Sequence, residues 1–217
     1  MDAQVLWYVS RATGVVSLVL LTAVMVLGMA TSGRAGSPAA ATSGVAPAPA
    51  APSRFGPSRF GLSRAGVHRL HREMSLVALV FLVVHIASAL VDGYVGLNLL
   101  DVFVPFGADY SPLWIGFGAV AVDLLLAVGV SSLLRSRIPR PVWRGIHLTA
   151  YAMWPLAVLH TAFTAGGDMA SLWMQLVVAA NVVAVVAAAL RWRRRDQHPD
   201  ALARRAGDLR HLAGNVR

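Results

Sequence analysis

Two apolar stretches of this chain begin and end on histidine: HREMSLVALVFLVVH, from His71 to His85, and HLTAYAMWPLAVLH, from His147 to His160. An ionisable side chain is costly within a membrane helix and usually faces the bundle interior and serves a function. Fourteen residues separate His71 from His85, so on a helix they differ by only about 40° in direction and about 21 Å in height. They lie on one face at two depths. If both stretches cross the membrane in the same direction, His71 shares a level with His147, and His85 with His160. Two imidazole clamps result. Neutral imidazoles from two helices suit the axial positions of a b-type haem, and two haems stacked along the membrane normal would form an electron wire. Zinc fits less well, because each level offers two histidines where three or four ligands are usual. The thirteen-residue step from His147 to His160 leaves them about 140° apart on an ideal helix. Pro155 lies between them and removes a helical hydrogen bond, so realignment is expected there.

The elements that carry these residues are membrane spans. Of the 217 residues 57% are hydrophobic and only 13% charged, with a mean hydropathy of +0.62, whereas soluble domains carry about 25% charged residues. Five stretches reach the roughly 20 apolar residues that a crossing needs: Val5 to Thr31, Arg69 to Val91, Pro112 to Leu134, Val142 to Ala165 and Met169 to Leu190. The predicted fold is an all-α bundle of five membrane helices. Its parts are a first helix over 1–32, a disordered Ala/Pro/Gly/Arg loop over 33–66, a four-helix core over 67–190 and a basic tail over 191–217. The first stretch lacks the basic n-region of a signal peptide and is read as a retained helix. With no cysteine in the chain, disulfides, thioether-linked haem, iron–sulfur clusters and thiolate zinc sites are excluded.

The basic residues set the topology. Arg34, Arg54, Arg59, Arg64, Arg69 and Arg72 fall between the first two spans, Arg135, Arg137, Arg140 and Arg144 between the third and fourth, and Arg191, Arg193, Arg194 and Arg195 after the fifth. The other connections hold Asp92, Asp101, Asp109 and Asp168 and no Arg. By the positive-inside rule the N-terminus is outside and the C-terminus inside. The net charge of +9 is thereby explained without nucleic acid, and the loop arginines are expected in a solvated linker, with membrane lipid headgroups as the partner within their reach. All 19 basic residues are Arg, in a background rich in Ala, Val and Gly. We read that usage as GC-rich bacterial coding, which places the chain in a bacterial cell membrane as a multi-pass protein.

Other polar residues are candidates around the clamps. Arg11 sits near the depth of His85 and His160, where it would hold a haem propionate through a charge-assisted pair. Arg69, Arg72 and Arg144 flank His71 and His147 and would hold the propionates of the other haem. His68, one turn before His71, competes with it as ligand, but its offset from His85 is about 100°. Asp123 within the third span requires a partner, a ligand histidine or Arg11. Trp154 lies between the two histidine levels and fills the bundle. Trp7, Tyr8, Tyr94, Tyr110, Trp114, Trp143, Trp173 and Trp192 fit aromatic belts. Four scattered acids do not make an iron site, Asp168 resembles a helix N-cap, and His198 and His211 in the tail carry no role.

The segments VHRLHREMSLVALVFLVVH and WRGIHLTAYAMWPLAVLHTAFTAGGD, with WYVSRATG, VDGYV and PLWIGFGAVAVDLLLA, resemble the ferric reductase-like transmembrane domain over about residues 5 to 190. That domain is shared by ferric reductases, NADPH oxidases and the haem subunit of a bacterial methionine sulfoxide reductase system. The resemblance implies that His71, His85, His147 and His160 ligate two haem b that carry electrons across the membrane. Ferric reductases and NADPH oxidases continue into a flavin and nicotinamide domain, and many relatives have six spans. Here the expectation is five spans and an oxidoreductase component fed by a separate cytoplasmic or membrane donor, a flavoprotein or quinol, and discharging to an extracytoplasmic acceptor. The alternative is a transport or structural subunit without haem, whose histidines are satisfied by hydrogen bonds between helices.

Overall fold

The computed structural model describes residues 3–31, 64–93, 95–164 and 166–196. Every regular element among them is helical: α1 (Ala3–Thr31), α2 (Arg64–Val91), α3 (Leu99–Phe103), α4 (Pro112–Leu133), α5 (Arg140–Leu148), α6 (Ala150–Thr164), a 3₁₀ turn (Gly166–Ala170) and α7 (Leu172–Asp196). Arg64 to Gly66, expected in the long loop, belong to α2, and the remainder of that loop lies outside the described residues. Residues 191–196, expected in the tail, continue α7; His198 and His211 lie outside.

Four helices, α1, α2, α4 and α7, are long and apolar enough to cross a membrane. Their apolar residues run right round the helix instead of forming one stripe, which suits a helix whose outer face meets lipid. On α2, Leu76, Val80 and Val83 are more than half exposed, as are Leu176 and Val183 on α7. The fourth predicted span differs from expectation. It is interrupted at Thr149, so that α5 has nine residues and α6 fifteen. Pro155, the expected point of realignment, is accommodated inside α6.

The break at Thr149 has a local cause. Its N–H and its hydroxyl both bond the carbonyl of Ile146, at 3.0 and 2.7 Å, and Ala152 N–H bonds the Thr149 carbonyl at 2.9 Å. These are contacts three residues apart, which turn the chain by about 120° per residue instead of about 100°. A threonine hydroxyl bonded back to the preceding turn also bends a helix. The extra winding rotates His147 toward the direction of His160, the sense that the thirteen-residue spacing requires.

Helix α1 packs along α2 and α4 along α6, and α1 also touches α6 and α7. Where these meet, Leu18, Trp154 and Val158 form a buried cluster with Met25, Ala157, Val178 and Val185 around it. Trp154 fills the middle of the bundle, and its indole N–H donates to Thr22 Oγ1 at 2.8 Å. On the far side of α4, Phe106, at φ 67°, packs against Gly116, where a Cβ would come within 2.2 Å of the phenyl ring. That close approach requires glycine and fixes the α3–α4 connection. Replacing Thr22 by Val keeps the shape and strands the indole N–H in an apolar core. The expected cost is about 1–3 kcal/mol, read as a lower unfolding midpoint of the detergent-solubilised protein.

Candidate functional site

The bundle brings the four membrane histidines together in the two expected pairs. The rings of His71 and His147 have centroids 6.4 Å apart, and those of His85 and His160 are 6.3 Å apart. A metal–imidazole bond is about 2.0–2.1 Å and a ring nitrogen lies about 1.1 Å from its centroid, so two imidazoles sharing one ion sit about 6.2–6.4 Å apart. A direct hydrogen bond of about 2.9 Å between two ring nitrogens would bring the centroids to about 5 Å. Both separations exceed a direct hydrogen bond and leave room for one ion between the rings. Among the described residues no three His, Asp or Glu side chains converge as a metal-binding group. The donor set at each level is two imidazoles, which suits an iron whose other four positions are filled by a porphyrin.

Three of the four rings are oriented by a neighbouring helix. His85 Nδ1 lies 2.7 Å from the Ser10 carbonyl of α1, His71 Nδ1 3.1 Å from the Val24 carbonyl of α1, and His160 Nδ1 2.9 Å from the Trp114 carbonyl of α4. A carbonyl only accepts, so in each case Nδ1 carries the proton and donates. The tautomer is fixed and the Nε2 lone pair is left available, the arrangement that metal-bound histidines commonly show. His147 differs: its Nδ1 is buried and makes no hydrogen bond. Its ring instead stacks on Trp143, with centroids 4.9 Å apart, and the Arg135 guanidinium covers the other ring of that stack at 4.6 Å.

Around His85 and His160 an apolar cavity opens between the helices, bounded by Leu18, Leu82, Ala119, Leu125 and Met174. Arg11 lines it, as do Asp92 and Asp101. The Arg11 guanidinium pairs with Asp168 at 2.9 Å and lies 4.8 Å over the Trp7 ring. Asp168 thus supplies the carboxylate that Asp123 had been a candidate to supply. At the other level His71, not His68, faces His147, while His68, Arg72 and Arg144 are exposed. Arg69 lies 4.0 Å from Glu73 one turn on, both largely in solvent.

Sequence reasoning found the imidazoles and Arg11 but missed what positions them. The carbonyls of Ser10, Val24 and Trp114 carry no sequence signal of their own. Three glycines do: Gly14, Gly28 and Gly118 each follow one of those carbonyls by four residues. Gly14 and Gly28 are fourteen apart, the spacing of His71 and His85 on the facing helix. Trp143 and Trp7, read as belt residues, also stack on a histidine and lie beneath an arginine respectively.

The family model described as ferric reductase like transmembrane component matches residues 47–158. The matched stretch takes in α2, α3, α4, α5 and most of α6, with His71, His85 and His147 inside it and His160 two residues beyond. No curated protein and no solved structure matches the chain.

The Arg11–Asp168 pair is about one-third exposed on each side, so its contribution is reduced by solvent and side-chain entropy. Asp168→Asn should cost about 1 kcal/mol or less, with the smaller loss at high salt. Thermal unfolding compared at low and high ionic strength measures it.

Proposed function

Because the chain belongs to the ferric reductase-like transmembrane family, we propose that it carries electrons across a bacterial cell membrane through two b-type haems. The observation that supports this most directly is the separation of the two imidazole pairs, 6.4 and 6.3 Å, each the width of one shared iron. A bound b haem supplies reversible one-electron iron chemistry. The chain's own residues do the rest. His71 and His147 hold one group, and His85 and His160 the other, through neutral imidazoles. The carbonyls of Ser10, Val24 and Trp114 keep three of those rings in the ligating tautomer. Leu18, Leu82, Leu125 and Met174 exclude water beside His85 and His160. Arg11, kept at the rim by Asp168, neutralises propionate charge at that level, and Arg72 and Arg144 do so at the other.

We further infer five crossings, with α5 and α6 together forming the fourth. Alone, the fifteen residues of α6 would span about 22 Å, short of the roughly 30 Å hydrocarbon core; with α5 they cover it. The His71–His147 level then lies toward the cytoplasm with the exposed arginines, and the His85–His160 level lies outside with Asp92, Asp109 and Asp168. A cytoplasmic or membrane donor, a flavoprotein or quinol, delivers electrons to the first level, and an extracytoplasmic acceptor takes them from the second.

One observation favours the alternative of a subunit without haem: three imidazoles are already hydrogen-bonded to a neighbouring helix. Those bonds use only Nδ1. They leave the Nε2 lone pairs unused and do not account for ring separations too long for direct bonding.

The haem-replete protein in detergent should contain two haem b per chain by pyridine haemochrome assay. His85→Ala and His160→Ala should each remove the same haem, and His71→Ala and His147→Ala the other. A colourless wild-type preparation would rule the reading out. As the chain lacks cysteine, orientation can be read from single introduced thiols. Asp109→Cys should react with an impermeant maleimide on intact cells, and Arg137→Cys only after permeabilisation; the reverse pattern would invert the topology.

A further inference from the structure

Three of the four imidazoles rest on the same local device. A helix carbonyl accepts the Nδ1–H, and the residue four positions later on that helix is glycine. At His85 the carbonyl is Ser10 and the glycine Gly14, where a Cβ would stand 2.8 Å from Nδ1 and 2.9 Å from Cε1. At His160 the carbonyl is Trp114 and the glycine Gly118, where a Cβ would stand 2.6 Å from Nδ1 and 2.8 Å from Cε1. At His71 the carbonyl is Val24 and the glycine Gly28, but here the Cβ would lie 3.6 Å from Cε1, an ordinary contact.

The geometry explains the pairing. In an α-helix the carbonyl of residue i already receives the N–H of residue i+4, so a second donor must approach from the side, past the side chain of that residue. Its second lone pair is available; at Ser10 and Trp114 only glycine leaves the approach open, whereas at Val24 an alanine Cβ would clear the ring. The two tight seats have the shorter hydrogen bonds, 2.7 and 2.9 Å, and the loose one the longer, 3.1 Å. Alanine is the better helix former, so a glycine in mid-helix has to be explained by what passes over it.

The pattern stops at His147. Fourteen residues beyond Trp114 and Gly118 stand Val128 and Ser132, and the Ser132 hydroxyl donates to the Val128 carbonyl at 2.7 Å. The position where a fourth seat would fall holds a side chain, and its carbonyl is taken. His147 has no acceptor and leans on Trp143.

We propose that Gly14 and Gly118 are positioning residues that hold His85 and His160 by backbone carbonyls, so that the His85–His160 clamp has two seated ligands and the His71–His147 clamp one. This rests on the haem reading above. The positions act through the histidines and touch no substrate.

The test uses the full chain in detergent, with redox titration and low-temperature EPR of the low-spin ferric signals. Gly14→Ala and Gly118→Ala should each shift or abolish the signal and redox step of the haem that His85→Ala removes, and leave the other haem unchanged. Gly28→Ala should leave both unchanged, because its Cβ finds ordinary space. Gly116→Ala, whose Cβ collides with Phe106 and not with a histidine, should lower the melting temperature and leave both signals in place. Unchanged g-values and potentials in both Gly14→Ala and Gly118→Ala, beside a two-haem wild type, would overturn the seats and leave the haem reading standing. Loss of both haems together in these variants would overturn them equally, since that marks general misfolding. A wild type without haem removes both proposals.

Discussion

An imidazole placed among membrane helices has one N–H that must find an acceptor and one lone pair that must find a use. Water satisfies both at the surface of a soluble protein, but hydrocarbon satisfies neither. In this chain His71, His85 and His160 give their N–H to the backbone of a neighbouring helix. That bond constrains much else. It sets which nitrogen keeps its lone pair, how near α1 must come to α2 and α4 to α6, and, at Ser10 and Trp114, which residue may stand beside the carbonyl. The fourteen-residue repeat of His71 and His85 on α2 is matched by the fourteen-residue repeat of Ser10 and Val24 on α1, so a single register between two antiparallel helices seats both rings at once.

The two halves of the bundle are related but unequal. The α1–α2 pair keeps regular helix through both levels. The partner half has a thirteen-residue step between its histidines, with a tight turn at Thr149 whose N–H and hydroxyl reach back three residues to Ile146 and whose carbonyl accepts from both Ala152 and Met153. His147 ends beside Trp143, itself covered by Arg135, instead of against a carbonyl of α4. Between the levels, Trp154 joins the halves through Thr22 and the apolar cluster around Leu18. That core keeps the two pairs of rings at separate depths.

Much of this was legible in the sequence. Hydropathy gave α1 and α4 to within two residues and α2 and α7 with ends displaced by up to six, but not α3, and the histidine spacing gave the pairing of levels. The interruption of the fourth span was not legible as such. The phase mismatch announced that something had to give, yet proline drew attention away from Thr149 because its effect on a helix is larger in general. Pro155 lies inside α6, and the threonine bonded to the turn behind it is a second place where the winding departs from regular helix. The carbonyl seats were hidden for a different reason. Backbone acceptors exist at every position, and only the absence of a side chain, at Gly14, Gly28 and Gly118, marks the ones that are used. The pairing of Arg11 with Asp168 depends on how the 3₁₀ turn after α6 folds back to α1, which periodicity does not report.

Backbone carbonyls have an electrostatic advantage over the carboxylates that often orient histidine ligands in soluble metal sites. An aspartate beside the imidazole would bring a full charge into a region where an unpaired charge is very costly. A helix carbonyl adds only a dipole, and it is already partly satisfied by its own helix, so it need not be desolvated afresh to accept a second donor. The charged groups near these sites are accordingly found at the ends: Arg11 with Asp168 at one level, and the exposed Arg72 and Arg144 at the other. Charge of both signs thus stays at the rims, where Asp92 and Asp101 also line the cavity beside Arg11, while the groups that orient the rings in the interior are neutral. Under that constraint glycine is the least costly way to open a carbonyl, as any polar side chain recruited for the purpose would itself need a partner in hydrocarbon.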